Sequence, residues 1–345
     1  MAARNDTAVT EFILLGLTDH PQTKRLLFAL CLAAYMLTLC GNLTILVLIQ
    51  EDSRLHTPMY FFVSHLSLID ICYTTSSLPQ MLTNLLSDHG TISFAGCVGQ
   101  LYVNVSMGVA ECFLLAVMAY DRYVAVCHPL HYAATMEPGL CSRLAGTCWV
   151  SGFLNAVVLT TVTFFLPYCG PNQINHFFCE APAVLQLACA DTESTEAVIY
   201  AAGVIILMIP FALILASYLR ILASVLHTRS ATSRRRAFST CGSHLAVVSL
   251  YYGTISFMYM RPRSSHSPEH DKKVSVLYAV VTPMLNPMIY SLRNKEVKGA
   301  MLKVLGKTST EGGRIWVLRK GFRTDAGQDG KLNHIYKKLQ LNRAA

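Results

Sequence analysis

Uncharged residues run without interruption from Leu26 to Ile49, with apolar side chains on every face. That is long enough to cross about 30 Å of hydrocarbon as a helix. Further apolar runs, separated by turn residues, predict seven helices: Leu26 to Ile49, Pro58 to Leu86, Cys97 to Cys127, Ser142 to Phe165, Thr195 to Leu226, Arg236 to Met260 and Val274 to Leu292. The second and third hold more polar residues than the first but are long enough to span. The fold class expected is an all-α membrane protein, a seven-transmembrane helix bundle.

Orientation follows from the cations between the spans. Arg220, Arg229, Arg234, Arg235 and Arg236 flank the fifth-to-sixth connection, whereas Phe164 to Tyr200 contains no Lys or Arg. Positive charge stays on the cytoplasmic side, so an extracellular N-terminus and a cytoplasmic C-terminus are expected. The chain then divides into an extracellular tail (1–25), the helix bundle (26–292), a juxtamembrane helix (293–305) and a cytoplasmic tail (306–345). In Asn294 to Leu305, Val297, Met301, Leu302 and Leu305 alternate with Lys295, Lys298 and Lys303, a pattern suited to docking on the inner leaflet. The remaining tail is Gly-rich and basic, which predicts disorder and contact with anionic lipid. Met1 to Leu15 lacks the basic start, apolar centre and small-residue cleavage site of a secretory signal.

Composition agrees: 53% of the 345 residues are hydrophobic and 14% charged, with a mean hydropathy of +0.41. This is too apolar for a soluble domain of such length. The net charge of +8 does not imply nucleic acid, because the cations sit between apolar spans rather than along a folded surface. Of three glycosylation patterns, Asn42-Leu43-Thr44 and Asn104-Val105-Ser106 fall inside helices, so only Asn5, on the outer tail, is expected to carry sugar.

The chain has 12 Cys. Cys97, Cys169, Cys179 and Cys189 fall at outward positions in the oxidising compartment and are expected to pair, in any of three connectivities. His176-Phe177-Phe178-Cys179-Glu180 has the look of a soft-metal site. Ligation needs a free thiolate, however, which a disulfide at Cys179 removes. Ionisable groups inside spans are costly, so Asp70, Glu111, Asp121 and Arg122 are candidates for function.

Four motifs add a resemblance: Pro58-Met59-Tyr60-Phe61-Phe62, Met118-Ala119-Tyr120-Asp121-Arg122-Tyr123, Ala237-Phe238-Ser239-Thr240-Cys241, and Pro283-Met284-Leu285-Asn286-Pro287-Met288-Ile289-Tyr290. Their order and loop context resemble the vertebrate olfactory receptors, rhodopsin-like G-protein-coupled receptors, from about Glu11 to about Leu305. The resemblance implies bridges Cys97–Cys179 and Cys169–Cys189, which tie a long outer loop over a cavity as a lid. It also implies a switch at Asp121, Arg122 and Tyr123, with a local ion pair restraining the arginine, joined by Tyr218, Asn286, Pro287 and Tyr290. A proline inside the last span makes a bend there. Asp70 and Glu111 match positions around a buried sodium ion, the one cofactor implied. The alternative is a shared proton between close carboxylates.

The same resemblance places ligand contacts at Leu101, Asn104, Val105, Gly108, Val109 and Cys112, on one face of the third helix by their spacing. Ala202, Gly203 and Ile206 on the fifth helix, Tyr252, Ile255, Ser256 and Tyr259 on the sixth, and Ala279 on the seventh complete the set. Asn104 stands where amine-binding relatives carry an acid, so a small neutral organic odorant is the ligand expected, held by buried apolar area and one or two hydrogen bonds. The partner implied is a heterotrimeric stimulatory olfactory G protein raising cyclic AMP, and the location the plasma membrane of olfactory sensory neuron cilia. Arg236 and Val126 depart from the family's commoner Lys and Ile, and the tail past Leu305 has no counterpart in the resemblance. A transporter is the alternative reading, but repeated halves and paired broken spans are not found. An intramembrane enzyme lacks its nucleophile or metal motif.

Overall fold

The computed structural model describes residues 9–87, 90–169, 172–227, 231–259, 268–292 and 296–301, without the side chains of 231–240, 259, 268 and 291–292. Asn5, the Tyr259 side chain, residues 302–305 and the tail 306–345 therefore lie outside the described residues. Within the unit Glu296–Ala345, residues 296–301 are helical.

Seven long helices form the unit that precedes it: α1 (Pro21–Glu51), α2 (Pro58–Leu86), α3 (Phe94–Cys127), α4 (Pro138–Phe164), α5 (Glu193–His227), α6 (Ala231–Tyr259) and α7 (Pro268–Leu292). Proline opens α1, α2 and α4, where its missing N–H would have had no partner. Ser93 caps α3, its hydroxyl accepting the Gly96 N–H at 3.0 Å. The expected spans fall inside these limits to within one residue, but α7 starts six residues before the expected Val274. It is also not uniform: Pro268–Val276 leads into a π-helical turn, Leu277–Val281, and then Thr282–Leu292.

α3 is the central element, packed on α2, α4, α5 and α6, while α1 lies against α2 and α7. Leu30, Leu37, Leu43 and Val47 of α1, and Ile205, Ile209, Leu213 and Leu219 of α5, are exposed. Such long apolar faces require lipid. Among the described residues, α1, α3, α4 and α5 are each long and apolar enough to cross a membrane by composition alone. α2, α6 and α7 bring Asp70, His244 and Asn286, all buried, into the interior. The chain is a multi-pass membrane protein.

One end of the bundle carries a feature absent from an all-helical expectation. Strand β1 (Glu11–Leu14) pairs antiparallel with β2 (Thr91–Ser93) and parallel with β3 (Gln173–Ile174), in the order β2-β1-β3. Phe12 and Leu14 alternate inward onto Ile92, Ile174, Tyr168 and Val184. Strands of two to four residues leave too little alternation to be read from sequence. Here disulfides join Cys97 to Cys179 and Cys169 to Cys189, with Cα separations of 5.5 and 5.8 Å. Gln100 secures the bridged loop further: its Oε1 accepts the Cys179 N–H at 2.7 Å and its Nε2 donates to the Ser76 carbonyl at 2.9 Å.

α3 and α4 meet at Gly152, where a Cβ would press on the Ser106 carbonyl oxygen and lie 3.2 Å from the Ala110 Cβ. Overpacking of this kind costs about 1–3 kcal/mol. Gly152→Val should therefore lower the melting temperature of the purified receptor and its surface abundance; unchanged melting would refute the close approach.

Candidate functional site

Below the bridged loop lies a cavity of about 130 Å³ bordered by residues of α2, α3, α4, α5, α6 and α7. Leu101, Val105, Val109, Leu159, Ile199, Ile206, Leu207, Ile255 and Phe178 give it an apolar wall. Space of this order suits a molecule with few non-hydrogen atoms, since a dry apolar cavity of roughly 150 Å³ accepts benzene.

Much of the polar lining is directed into the protein. Asn104 Oδ1 accepts from the Ser76 hydroxyl and, at 3.2 Å, from Ser77, while its Nδ2 donates back to Ser77 at 3.0 Å. The Tyr251 hydroxyl donates to the Gly108 carbonyl. Tyr252 donates to the Cys112 carbonyl at 3.0 Å and lies 3.0 Å from the Cys112 thiol. That thiol in turn donates to the Ile206 carbonyl at 3.3 Å. Pro210 explains the last bond, because it has no N–H for the carbonyl four residues earlier.

The roof is different. Glu180, beside the bridged Cys179, accepts the Tyr278 hydroxyl at 2.7 Å on Oε1, with Ser275 Oγ at 3.5 Å and His176 Nε2 at 3.3 Å from Oε2. Burial lowers the His176 pKa, the Glu180 charge opposing that shift only in part. Burial thus disfavours the charged imidazole, whose Nε2 also lies 3.3 Å from Ser275 Oγ.

Deeper in the bundle, Asn286 Nδ2 donates to both oxygens of Asp70 at 3.1 Å and approaches Glu111 Oε1 at 3.5 Å. At the far end of α3, Arg122 is buried. Asp121 accepts the Tyr132 hydroxyl at 2.7 Å. Tyr132 sits on the short helix Tyr132–Thr135, and burial, followed by the Asp121 charge, raises its pKa, which keeps the proton available for donation. Tyr123 Oη lies 3.0 Å from His128 Nε2. The Tyr218 hydroxyl meets His244 Nδ1 at 2.7 Å, and His244 Nε2 meets the Leu115 carbonyl at 3.1 Å.

With this arrangement in view, comparison with known proteins is specific. A family model described as olfactory receptor matches residues 30–308. The chain belongs to the olfactory receptor family. It is 52% identical to the dog olfactory receptor-like protein OLF3 over 307 residues, 89% of this chain and 97% of that one. Human olfactory receptor 2F1 is also 52% identical, over 309 residues, 90% of this chain and 98% of its own. Mouse olfactory receptor 2C1 is 50% identical over 307 residues, 89% and 98% of the two chains. Olfactory receptors are not enzymes.

The olfactory-receptor resemblance and the cavity overlap without coinciding. Leu101, Asn104, Val105, Gly108, Val109, Cys112, Gly203, Ile206 and Ile255 line the cavity; Ala202, Tyr252, Ser256 and Ala279 do not. Tyr252 is turned to α3, and its neighbour Tyr251 supplies the wall. On α7 Tyr278 rather than Ala279 borders the cavity, and both belong to the π-helical turn. The wall also includes Glu111 and Glu180, two acids outside the ligand contacts that the resemblance implies. No ion pair between Asp121 and Arg122 is present among the described residues; adjacent positions on a helix point different ways, and Asp121 reaches Tyr132 instead. Glu180, Tyr251, Tyr278, Tyr132 and His244 were not singled out from the sequence for these places. Only Glu180 carried a signal, its position after a bridged cysteine.

A Cβ at Gly108 would meet only the Tyr251 hydroxyl oxygen, at 3.8 Å, so a larger side chain would extend into the cavity. Gly108→Leu should weaken the response to an activating odorant by about tenfold or more, roughly 1.4 kcal/mol, while surface staining persists. An unaltered dose–response curve would mean that ligand binds elsewhere.

Proposed function

We propose that the chain is an odorant receptor for small, mostly neutral volatile organic molecules, which it binds in the cavity under the bridged loop. Its activated form engages a stimulatory olfactory G protein and raises cyclic AMP. One observation carries the reading: an apolar cavity of about 130 Å³ shares α3 with a buried arginine at the opposite end. Burial of ligand at about 25 cal/mol per Å² of apolar surface supports modest affinity and broad selectivity in such a space.

Signalling on this reading is a shift in population. A ligand that prefers the state with α6 moved outward exposes Arg122 and the basic fifth-to-sixth connection without touching either. The charge pattern of the loops supports an extracellular N-terminus and a cytoplasmic C-terminus, with a location in olfactory cilia and sugar at Asn5. In the resting state, the Tyr132–Asp121 bond holds the carboxylate near the arginine end. Tyr218 gives its hydroxyl to His244, while the buried Tyr290 hydroxyl has no partner among the described residues. Both phenols are available to take new partners when α6 moves.

A sodium ion belongs to the same proposal. Asp70 and Glu111 converge on Asn286, whose buried Oδ1 has no partner among the described residues. Oxygen donors of this kind suit a hard cation, which would neutralise two carboxylates that otherwise repel. The residues that would hold it are Asp70, Glu111 and Asn286.

Arg122→Ala should abolish odorant-evoked cyclic AMP in transfected cells while leaving surface expression and odorant binding in place. A normal cyclic AMP response in that variant would sink the assignment of Arg122 to G-protein engagement.

A further inference from the structure

The roof of the cavity determines which neutral molecules fit it, a refinement that rests on the proposed odorant-binding role. Much of the polar lining is committed to protein: Asn104 to Ser76 and Ser77, Tyr251 to the Gly108 carbonyl, and Glu111 towards Asn286, while Tyr73 also borders the cavity. Glu180 is 5% exposed and borders the cavity from the loop side, next to Tyr278 on α7. It acts as an acceptor in the hydrogen bonds from Tyr278 and Ser275.

We infer that Glu180 is the polar anchor of the ligand and selects molecules that donate a hydrogen bond, such as alcohols and phenols, over aldehydes and carboxylic acids of the same carbon skeleton. The 3.5 Å contact from Ser275 to Glu180 is long enough to yield to a ligand hydroxyl. An aldehyde offers no proton. A carboxylic acid that ionises brings a like charge against Glu180 in a site lined by apolar side chains. Cations nearby do not reverse this preference: Lys272 bonds the exposed Glu269 at 3.2 Å, and His176 is one of the groups already held at Glu180.

Tyr278 links Glu180 to α7. Its hydroxyl holds Oε1 at 2.7 Å and also lies 3.0 Å from Ser275 Oγ, so the loop and α7 are joined at the point where ligand arrives. Because Tyr278 belongs to the π-helical turn Leu277–Val281, a ligand that alters the Glu180 bonds acts directly on an irregular turn of α7. That turn leads to Asn286 and Pro287 on the same helix.

The test uses full-length receptor in lipid nanodiscs and ligand-induced thermal stabilisation with 1-hexanol, hexanal, hexanoic acid and hexylamine, in parallel with cyclic AMP in cells. Hexanol should bind at least about tenfold more tightly than hexanal or hexanoic acid, the gain of one hydrogen bond to a charged acceptor. Glu180→Gln should bring the hexanol-to-acid ratio close to one. Tyr278→Phe should keep or raise it, because a competing donor is removed while the carboxylate stays. If Glu180→Gln does not fold, Tyr278→Phe carries the test: a collapsed ratio there would place the anchor on the phenol and overturn the inference. Hexanoic acid or hexanal equalling hexanol in the native receptor, or no stabilisation by any of the four, would overturn it as well. Hexylamine above hexanol would support the acceptor anchor and overturn the neutral-ligand reading. Selective binding without cyclic AMP would keep the anchor and overturn the signalling reading.

Discussion

Backbone groups inside hydrocarbon have no water to turn to, and every proline in a spanning helix leaves a carbonyl without its usual donor. Two of these carbonyls are supplied from neighbouring helices. Cys112 of α3 donates to the Ile206 carbonyl that Pro210 leaves open on α5, and Asn42 of α1 donates to the Pro283 carbonyl, four residues before Pro287 on α7, at 3.4 Å. The sites of proposed function grow from the same places. Ile206 and Cys112 are cavity wall, and Asn286, next to Pro287, gathers Asp70 and Glu111. Prolines that would weaken a soluble helix become the points where helices are tied together.

α3 connects these parts. Its first turns take the disulfide and the loop, its middle faces the cavity, Glu111 lies at the polar cluster, and Asp121 and Arg122 close it. Packed on four other long helices, it has little freedom to move alone. A change at the cavity is more readily expressed by α6 and α7, which hold their neighbours partly through side-chain bonds such as Tyr218–His244 and Ser243 Oγ to the Ile289 carbonyl at 3.2 Å. Such bonds have alternatives of similar energy, unlike the close backbone approach at Gly152.

The helices were legible because lipid imposes a long apolar run that no other solvent requires. The start of α7 was not: Pro268–Val276 carries Glu269, Asp271, Lys272 and Lys273, and a polar helix beyond the hydrocarbon leaves no hydropathy signal. The sheet of β1, β2 and β3 was hidden for a related reason, since its strands are defined by partners far away in sequence. The residues that the resemblance names on α3 border the cavity, whereas on α7 Tyr278 of the π-helical turn borders it and Ala279, named by the resemblance, does not. The chemistry of the wall was the least legible, because whether a polar side chain faces ligand or protein depends on bonds such as Asn104 to Ser77 that only three-dimensional proximity creates.

The account stands on the cavity and Arg122 facing opposite sides of one membrane. Impermeant labelling of intact cells, with single tags placed at Asn5 and at Arg234, examines this directly. The tag at Asn5 should react on untreated cells and that at Arg234 only after permeabilisation. Reaction at Arg234 from outside, with Asn5 protected, would contradict the orientation and with it the proposed route from odorant to G protein.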